Sequence, residues 1–384
     1  HLQAVVNTPE LREVYNANLP RLSRFGSSVA QNPALYAQYK LLAAAPEAAS
    51  YDEAQRKALE NALRDFRLGG AELDDAGKAR FAELQEELSG LQAKFSQNVL
   101  DAGDAFALYV DVADDLLGLP DDVIASARAA AQKDGREGYK LTLQMPCYLP
   151  VQTYADNRAL REQLYRAHAM RASEFGDAAL DNTGNIDRIL AVRNELAALL
   201  GFDNYAEYSI ATKMASDAPQ VLSFLRDLAA RAKPYAQRDR AELEAFAHDE
   251  LGMEELQAWD LAYVAEKLKQ ARYSYSEQEV KQYFTEPKVL AGLFGVIERL
   301  YGLKVEQDSA PVWHEDVRFY RLVDADGALV GQFYMDLYAR EGKRGGAWMD
   351  VCRPRLREAD ESQIPIAYLV CNFASGSAGK PAHL

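Results

Sequence analysis

Phe81-Ala82-Glu83-Leu84-Gln85-Glu86-Glu87-Leu88-Ser89-Gly90-Leu91-Gln92-Ala93-Lys94-Phe95 is the stretch whose reading decides the fold. Phe81, Leu84, Leu88, Leu91 and Phe95 recur at alternating spacings of three and four, which sets all five on one face of a helix. A seam this narrow packs like a coiled coil. Upstream, Leu59, Leu63 and Phe66 form a shorter stripe closed by Gly69-Gly70. The link from Gly69 to Asp75 is short and rich in turn formers, so residues 54–100 predict an antiparallel helical hairpin.

Helical periodicity recurs further along. Asp156 is placed to cap a helix carrying Leu160, Leu164 and Ala167. Ile186, Ile189, Leu190, Leu196 and Leu200 form a stripe stopped by Gly201. Asp217 and Pro219 stand at cap and first-turn positions before Val221, Leu222, Leu225 and Leu228. Leu290, Leu293, Phe294, Ile297, Leu300 and Tyr301 form another stripe, and Gly302 follows where a left-handed C-terminal cap belongs.

Two regions break this pattern. Tyr139, Leu141 and Leu143 alternate with polar residues and read as a strand. Pro146 and Pro150 follow, and a domain boundary is expected near residue 152. Residues 317–373 form a β-rich segment. Residues 317–323 and the alternating Phe333, Met335, Leu337 flank the turn Asp324-Ala325-Asp326-Gly327 and predict a hairpin. The run 366–371, Ile-Ala-Tyr-Leu-Val-Cys, is apolar almost throughout, as in a strand covered on both faces.

The 384 residues suffice for two or three domains, and 48% apolar content supplies sizeable cores. A formal net charge of −15 disfavours phosphate backbones and anionic membrane surfaces as partners. No stretch approaches the ~20 apolar residues of a membrane span. Three scattered cysteines, Cys147, Cys352 and Cys371, point to a reducing compartment. The first residues, His1-Leu2-Gln3-Ala4, have no basic or apolar leader and no Met, so the chain reads as a piece of something longer.

Complete catalytic motifs are missing. The histidines are His1, His168, His248, His314 and His383, and no two could chelate from one helix. His168 reads as a structural histidine. Gly376-Ser377-Ala378-Gly379-Lys380-Pro381 is not a phosphate loop, because Pro381 stands where Ser or Thr would hold magnesium. The pairs Asp114-Asp115 and Asp121-Asp122 flank a turn and read as helix starts or a solvated loop. The 21 tyrosines suit half-exposed walls, where a ring is buried and a hydroxyl meets a partner.

At several points the wording itself is informative. Arg344-Gly345-Gly346-Ala347-Trp348-Met349-Asp350 and the preceding Phe333-Tyr334-Met335-Asp336-Leu337-Tyr338-Ala339-Arg340 resemble segments of the thimet oligopeptidase-type zinc metallopeptidases. So do Trp259-Asp260 with Tyr263 and Lys267, Gly201-Phe202-Asp203-Asn204-Tyr205, Ala211-Thr212-Lys213-Met214-Ala215, and Asn61-Ala62-Leu63-Arg64-Asp65-Phe66. The resemblance runs through the whole chain in one order.

That resemblance implies a mainly α fold: an elongated, two-lobed, zincin-like peptidase with a small β-sheet in the catalytic lobe, incomplete at the C-terminus. It implies a helical N-terminal domain over 1–152 and the N-terminal part of the catalytic domain over 153–384. It implies a cytoplasmic endopeptidase that hydrolyses short peptides, cleaved signal peptides among them, in a deep channel. One zinc ion would be held there by H-E-x-x-H and a downstream glutamate. This sequence lacks that motif, which is expected after Leu384. No catalytic or metal-binding residue can therefore be assigned in it, no bound zinc is expected, and the piece by itself is expected to be inactive. His383 precedes the motif and is not a ligand.

Zincins commonly bind substrate as an added strand. Ile366 to Phe373 directly precedes the expected zinc helix, so the backbone of Val370, Cys371, Asn372 and Phe373 is the candidate substrate edge. A buried central strand is the other reading of the same run. Arg344, in the loop 342–346, is a candidate for a substrate carboxylate, although that loop also reads as a solvated turn. Apolar surface around 366–371 would favour self-association. The competing reading of the chain is a helical binding or scaffold protein without chemistry, and the two separate on H-E-x-x-H in the parent gene.

Overall fold

Both helices of the expected hairpin form, Glu53–Leu68 and Asp75–Asp104, but their stripes do not face each other. The computed structural model describes residues 1–357, 362–376 and 381–384. Phe66, with Leu63 partly buried, packs on Tyr36 and Tyr39 of helix Pro33–Ala44. Phe81, Leu84 and Leu88 pack instead on Ile189, Val192 and Leu196 of helix Thr183–Leu199. The expected coiled-coil seam is thus replaced by contacts with a helix about a hundred residues away. Periodicity names the buried face of a helix and not what covers it.

Polar groups fix that distant pairing. Asn98 Nδ2 donates to Asn182 Oδ1 at 3.0 Å, while Asn182 and Asn185 donate to the carbonyls of Phe95 and Leu91 at 3.1 and 3.0 Å. At the rim, Arg80 grips Glu195 and Arg188 grips Glu87, each through two nitrogens.

The chain divides into two units built from non-consecutive segments. One comprises residues 9–99 and 172–237, and the other residues 1–8, 100–171 and 238–384. The expected boundary at residue 152 falls inside helix Met145–Tyr154. Pro146 sits in its first turn, where the missing N–H costs nothing.

Within the second unit, strand β1 (Leu108–Val110) pairs antiparallel with β2 (Tyr139–Leu141), the strand expected near 139–143. Val110, Tyr139 and Leu141 share a core with Val151, Leu160 and Leu164. Helix Arg158–Ala169 is capped by Asn157, whose Oδ1 accepts from Leu160 N at 3.2 Å. Asp156, the expected cap, accepts instead from the Tyr263 hydroxyl and Lys267 at 2.8 and 3.1 Å. The fully buried Asp260 binds Arg161 at 2.8 Å and Arg158 at 2.6 Å. The Trp259-Asp260, Tyr263 and Lys267 segment therefore fastens helix Leu261–Tyr273 to the residues around 156–161. His168 stacks on Tyr148 at 4.2 Å, and burial, aided by Arg171, pushes its imidazole below the ordinary range.

The β-rich segment forms β3 (Lys304–Asp308), β4 (Arg318–Val323), β5 (Leu329–Tyr338), β6 (Trp348–Arg353), the short pair β7 (Leu356–Arg357) and β8 (Ser362–Gln363), and β9 (Ile366–Phe373). The main sheet has the order β3-β4-β5-β9-β6. The expected hairpin is β4–β5, closed by Asp324, whose Oδ1 accepts from Asp326 N and Ala328 N. Strand β9 runs parallel to β5 and antiparallel to β6. Met335, Leu337, Leu369, Cys371 and Phe373 pack with Leu290 and Phe294 of helix Glu286–Tyr301. Tyr334 and Tyr368 point the other way, as strand alternation requires, and join Trp313 and Phe319 in an aromatic layer. Each face of β9 is thus covered in part, and only Val370 is fully buried.

Candidate functional site

The sheet ends at β6, so its outer backbone groups form an edge rather than a ladder. This corrects one expectation. Strand β9, read as the candidate edge, lies between β5 and β6; Val370 pairs with Asp336 on one side and Trp348 on the other. Val370 is fully buried and Phe373 pairs with Tyr338. Cys371 faces the helix-covered core, and burial pushes its thiol up, which makes it a poor nucleophile. Asn372 alone of the four reaches the loop before β6, donating to the carbonyls of Arg344 and Gly346. Arg344 is exposed, with its guanidinium 4.8 Å from the centre of the Trp348 ring. The structure thus brings Asn372 and Arg344 to the head of β6 and keeps Val370, Cys371 and Phe373 behind it.

The 340–346 loop is a solvated turn only in part. Lys343 is fully buried at its side chain, as is Asp336 on β5, and the two meet at 2.7 Å. Lys343 Nζ also donates to the carbonyls of Asp336 and Tyr338 at 3.2 and 2.6 Å. Arg340 binds both Asp336 oxygens at 2.7 and 2.8 Å, and Trp313 Nε1 adds a bond at 3.0 Å. Burial alone would push the Asp336 carboxyl up. Arg340, Lys343 and Trp313 outweigh it and hold the group below the usual carboxylate range. For Lys343 burial prevails over Asp336 and lowers the ammonium. Each Asp336 carboxylate oxygen accepts twice, and these bonds offset the cost of taking the pair out of water.

The same loop is tied to the first residues of the chain. Arg344 N donates to Ala4 O at 2.8 Å, Asn7 N to Gly342 O at 3.1 Å, and Arg340 Nη2 to Val5 O at 2.9 Å. Gly342 N donates to Asp104 Oδ2 at 3.0 Å. Gly342 has φ +71°, a conformation that disfavours any side chain.

Sequence reasoning missed Asp336, Arg340, Lys343 and Trp313 as a group. Asp336 and Arg340 are four apart, a spacing that carries meaning on a helix but none across a strand end. An acidic residue inside the alternating run 333–338 was the one available signal.

The described residues do not fit a zinc site. Among them no group of three or more His, Cys, Asp and Glu side chains could hold a metal ion. His383 instead forms an isolated bridge with Thr285. Residues 377–380, in the glycine-rich run that lacks the Ser or Thr of a phosphate loop, lie outside the described residues. Among the described residues no helix is long and apolar enough to cross a membrane.

A model of Peptidase family M3 matches residues 151–384, and one of the Neurolysin/Thimet oligopeptidase N-terminal domain matches residues 1–78. The chain belongs to peptidase family M3. Among its M3 relatives, Oligopeptidase A of Escherichia coli (strain K12) is 49% identical, with 100% of this chain and 57% of that protein covered. The organellar oligopeptidase A (chloroplastic/mitochondrial) of Arabidopsis thaliana is 38% identical, with 100% and 50% covered. The chain thus spans little more than half the length of these curated relatives. A solved structure, PZ peptidase A with inhibitor 2, shares the fold at TM-score 0.50 and 16% identity, covering 98% of this chain and 51% of that one.

Proposed function

We propose that this M3 chain supplies the substrate-accepting edge and its backing wall in a zinc-dependent endopeptidase of the oligopeptidase A type, acting on short peptides. The observation that carries the reading is the position of β6, an exposed strand at the end of the main sheet. A peptide laid along it gains backbone hydrogen bonds without demands on its sequence. The edge lies one strand further out than β9, with Val370–Phe373 as its support. Arg344, at the head of β6, is placed to meet a peptide carboxylate. Zinc supplies the activated water in such enzymes; no group among the described residues would hold it, and the part argued for this chain is wall and edge.

The names of the relatives support peptide substrates, and the charge supports neither nucleic acid nor a membrane surface as partner. A cytoplasmic site agrees with three free thiols, while the Arabidopsis relative carries an organellar name. Met349 and Val351, 68% and 58% exposed on β6, would also let this piece self-associate, which light scattering against concentration would detect.

The test is amide exchange of the full-length enzyme with and without a non-cleavable peptide. Slowed exchange at residues 348–353, with one zinc per chain, is the expected result. Protection elsewhere with β6 unchanged would remove the edge from the mechanism.

A further inference from the structure

Strand β6 owes its position to the loop that precedes it, and that loop is fastened from beneath and from the side. Beneath it, Lys343 bridges the Asp336 carboxylate and the carbonyls of Asp336 and Tyr338, all at the end of β5. From the side, the backbone of Ala4, Val5 and Asn7 bonds to Arg344, Arg340 and Gly342. Asn372 closes the remaining side by holding the carbonyls of Arg344 and Gly346. None of these bonds uses a backbone group of residues 348–353, where Val351 N donates to the Asp350 side chain at 2.8 Å. A solvated turn would need none of them, and burying a lysine to make them is costly unless its geometry is met in full.

We infer that Lys343 is a positioning residue: through the 340–346 loop it holds β6 in the register that accepts a peptide backbone. The inference rests on the reading of β6 as the substrate edge. Lys343 touches no substrate, and its ammonium transfers no proton; it converts the buried Asp336 into an anchor for an exposed strand. The first eight residues serve the same end, which explains why they belong with the sheet-bearing unit rather than with the helices that follow them.

The experiment compares full-length enzyme with its Lys343→Met and Asn372→Ala variants. Each is assayed on a peptide and on the same peptide N-methylated at the backbone positions that would pair with β6. For Lys343→Met, KM for the plain peptide should rise about tenfold, the scale of one to two lost backbone hydrogen bonds, with kcat within about twofold. KM for the N-methylated peptide, already high, should move less than about twofold, because the bonds lost are ones it never made. Amide exchange at 348–353 should speed up in the same variant. Asn372→Ala leaves no buried charge behind, so it keeps the test open if Lys343→Met does not fold; its shift should have the same pattern at about threefold. Equal losses on both peptides, or a fall in kcat at constant KM, would overturn the inference. If the wild-type enzyme does not distinguish the two peptides, the edge reading itself fails, whereas discrimination by the wild type that both variants retain sinks only the role of Lys343.

Discussion

The helical pairing around Phe81 and the sheet end around Asp336 are held by opposite means. In the first, Phe81, Leu84 and Leu88 meet Val192 and Leu196 in an apolar seam; the polar groups buried beside it, Asn98, Asn182 and Asn185, are neutral, and the ion pairs sit outside it at the rim. In the second, the ions are the core: the side chains of Asp336 and Lys343 are both inaccessible to solvent, and Arg340 and the Trp313 indole complete the bonds of the carboxylate. An apolar seam tolerates small errors of fit, because burial is non-directional. A buried ionic node does not, because its desolvation is repaid only while every bond is in place. The lesson is that the sheet end is built for geometric precision and the helical pairing for bulk stability.

The sharpest way to break the contrast is to cut each region once. Asp336→Ala should destabilise the full-length protein by about 3–5 kcal/mol in urea unfolding, because Lys343 would be left buried, and Arg340 half-buried, without their counterion. A loss below about 1 kcal/mol would mean that water enters and the node is not closed. Leu196→Ala should come next, at about 3 kcal/mol, set by the cavity opened under Leu84.

Acid sharpens the comparison further, with a smaller effect. Asp336 and Asp260 are both held below the ordinary carboxylate range despite burial, the latter by Arg158, Gln257 N and Arg161. Their unfolded forms bind protons first, so the stability they contribute is complete above roughly pH 5 and is lost as pH falls through their folded values. The unfolding midpoint should therefore drop as pH is lowered below about 5, and Asp260→Asn should flatten that drop. The smallest effect belongs to Arg80→Ala and Arg188→Ala. Both partners of these pairs are solvent-exposed, so each variant should match the wild type at high salt and differ from it only at low ionic strength.

These differences mark what could be read in the sequence. Spacing located the helices at 54–68 and 81–95, the β4–β5 hairpin, the Asp217 cap and the left-handed Gly302, because each depends on neighbours within a few residues. Partners more than a few residues away were beyond reach. The Phe81 stripe gave no sign that Thr183–Leu199 would cover it, and Asp156 looked like a cap although Asn157 fills that role. The wording of 344–350 drew attention to the segment that forms β6 and the loop before it. It did not show that β6 is the edge and β9 the interior, since register between strands is set by long-range pairing. Lys343 looked like any charged residue in a glycine-rich turn, and only the fold revealed that it is buried.

One bond has a consequence for how the molecule is made. Arg340 reaches the carbonyl of Val5 across 335 residues of chain. At ordinary rates of synthesis that separation takes on the order of tens of seconds to emerge from the ribosome. The opening residues cannot meet these partners during that whole interval while the helical segments after them collapse, and closing so wide a loop carries a larger entropy cost than the local contacts within those helices. Assembly of the sheet-bearing unit should therefore lag that of the helical one, and its unfinished edge is where newly made chains would be most exposed to proteases and chaperones.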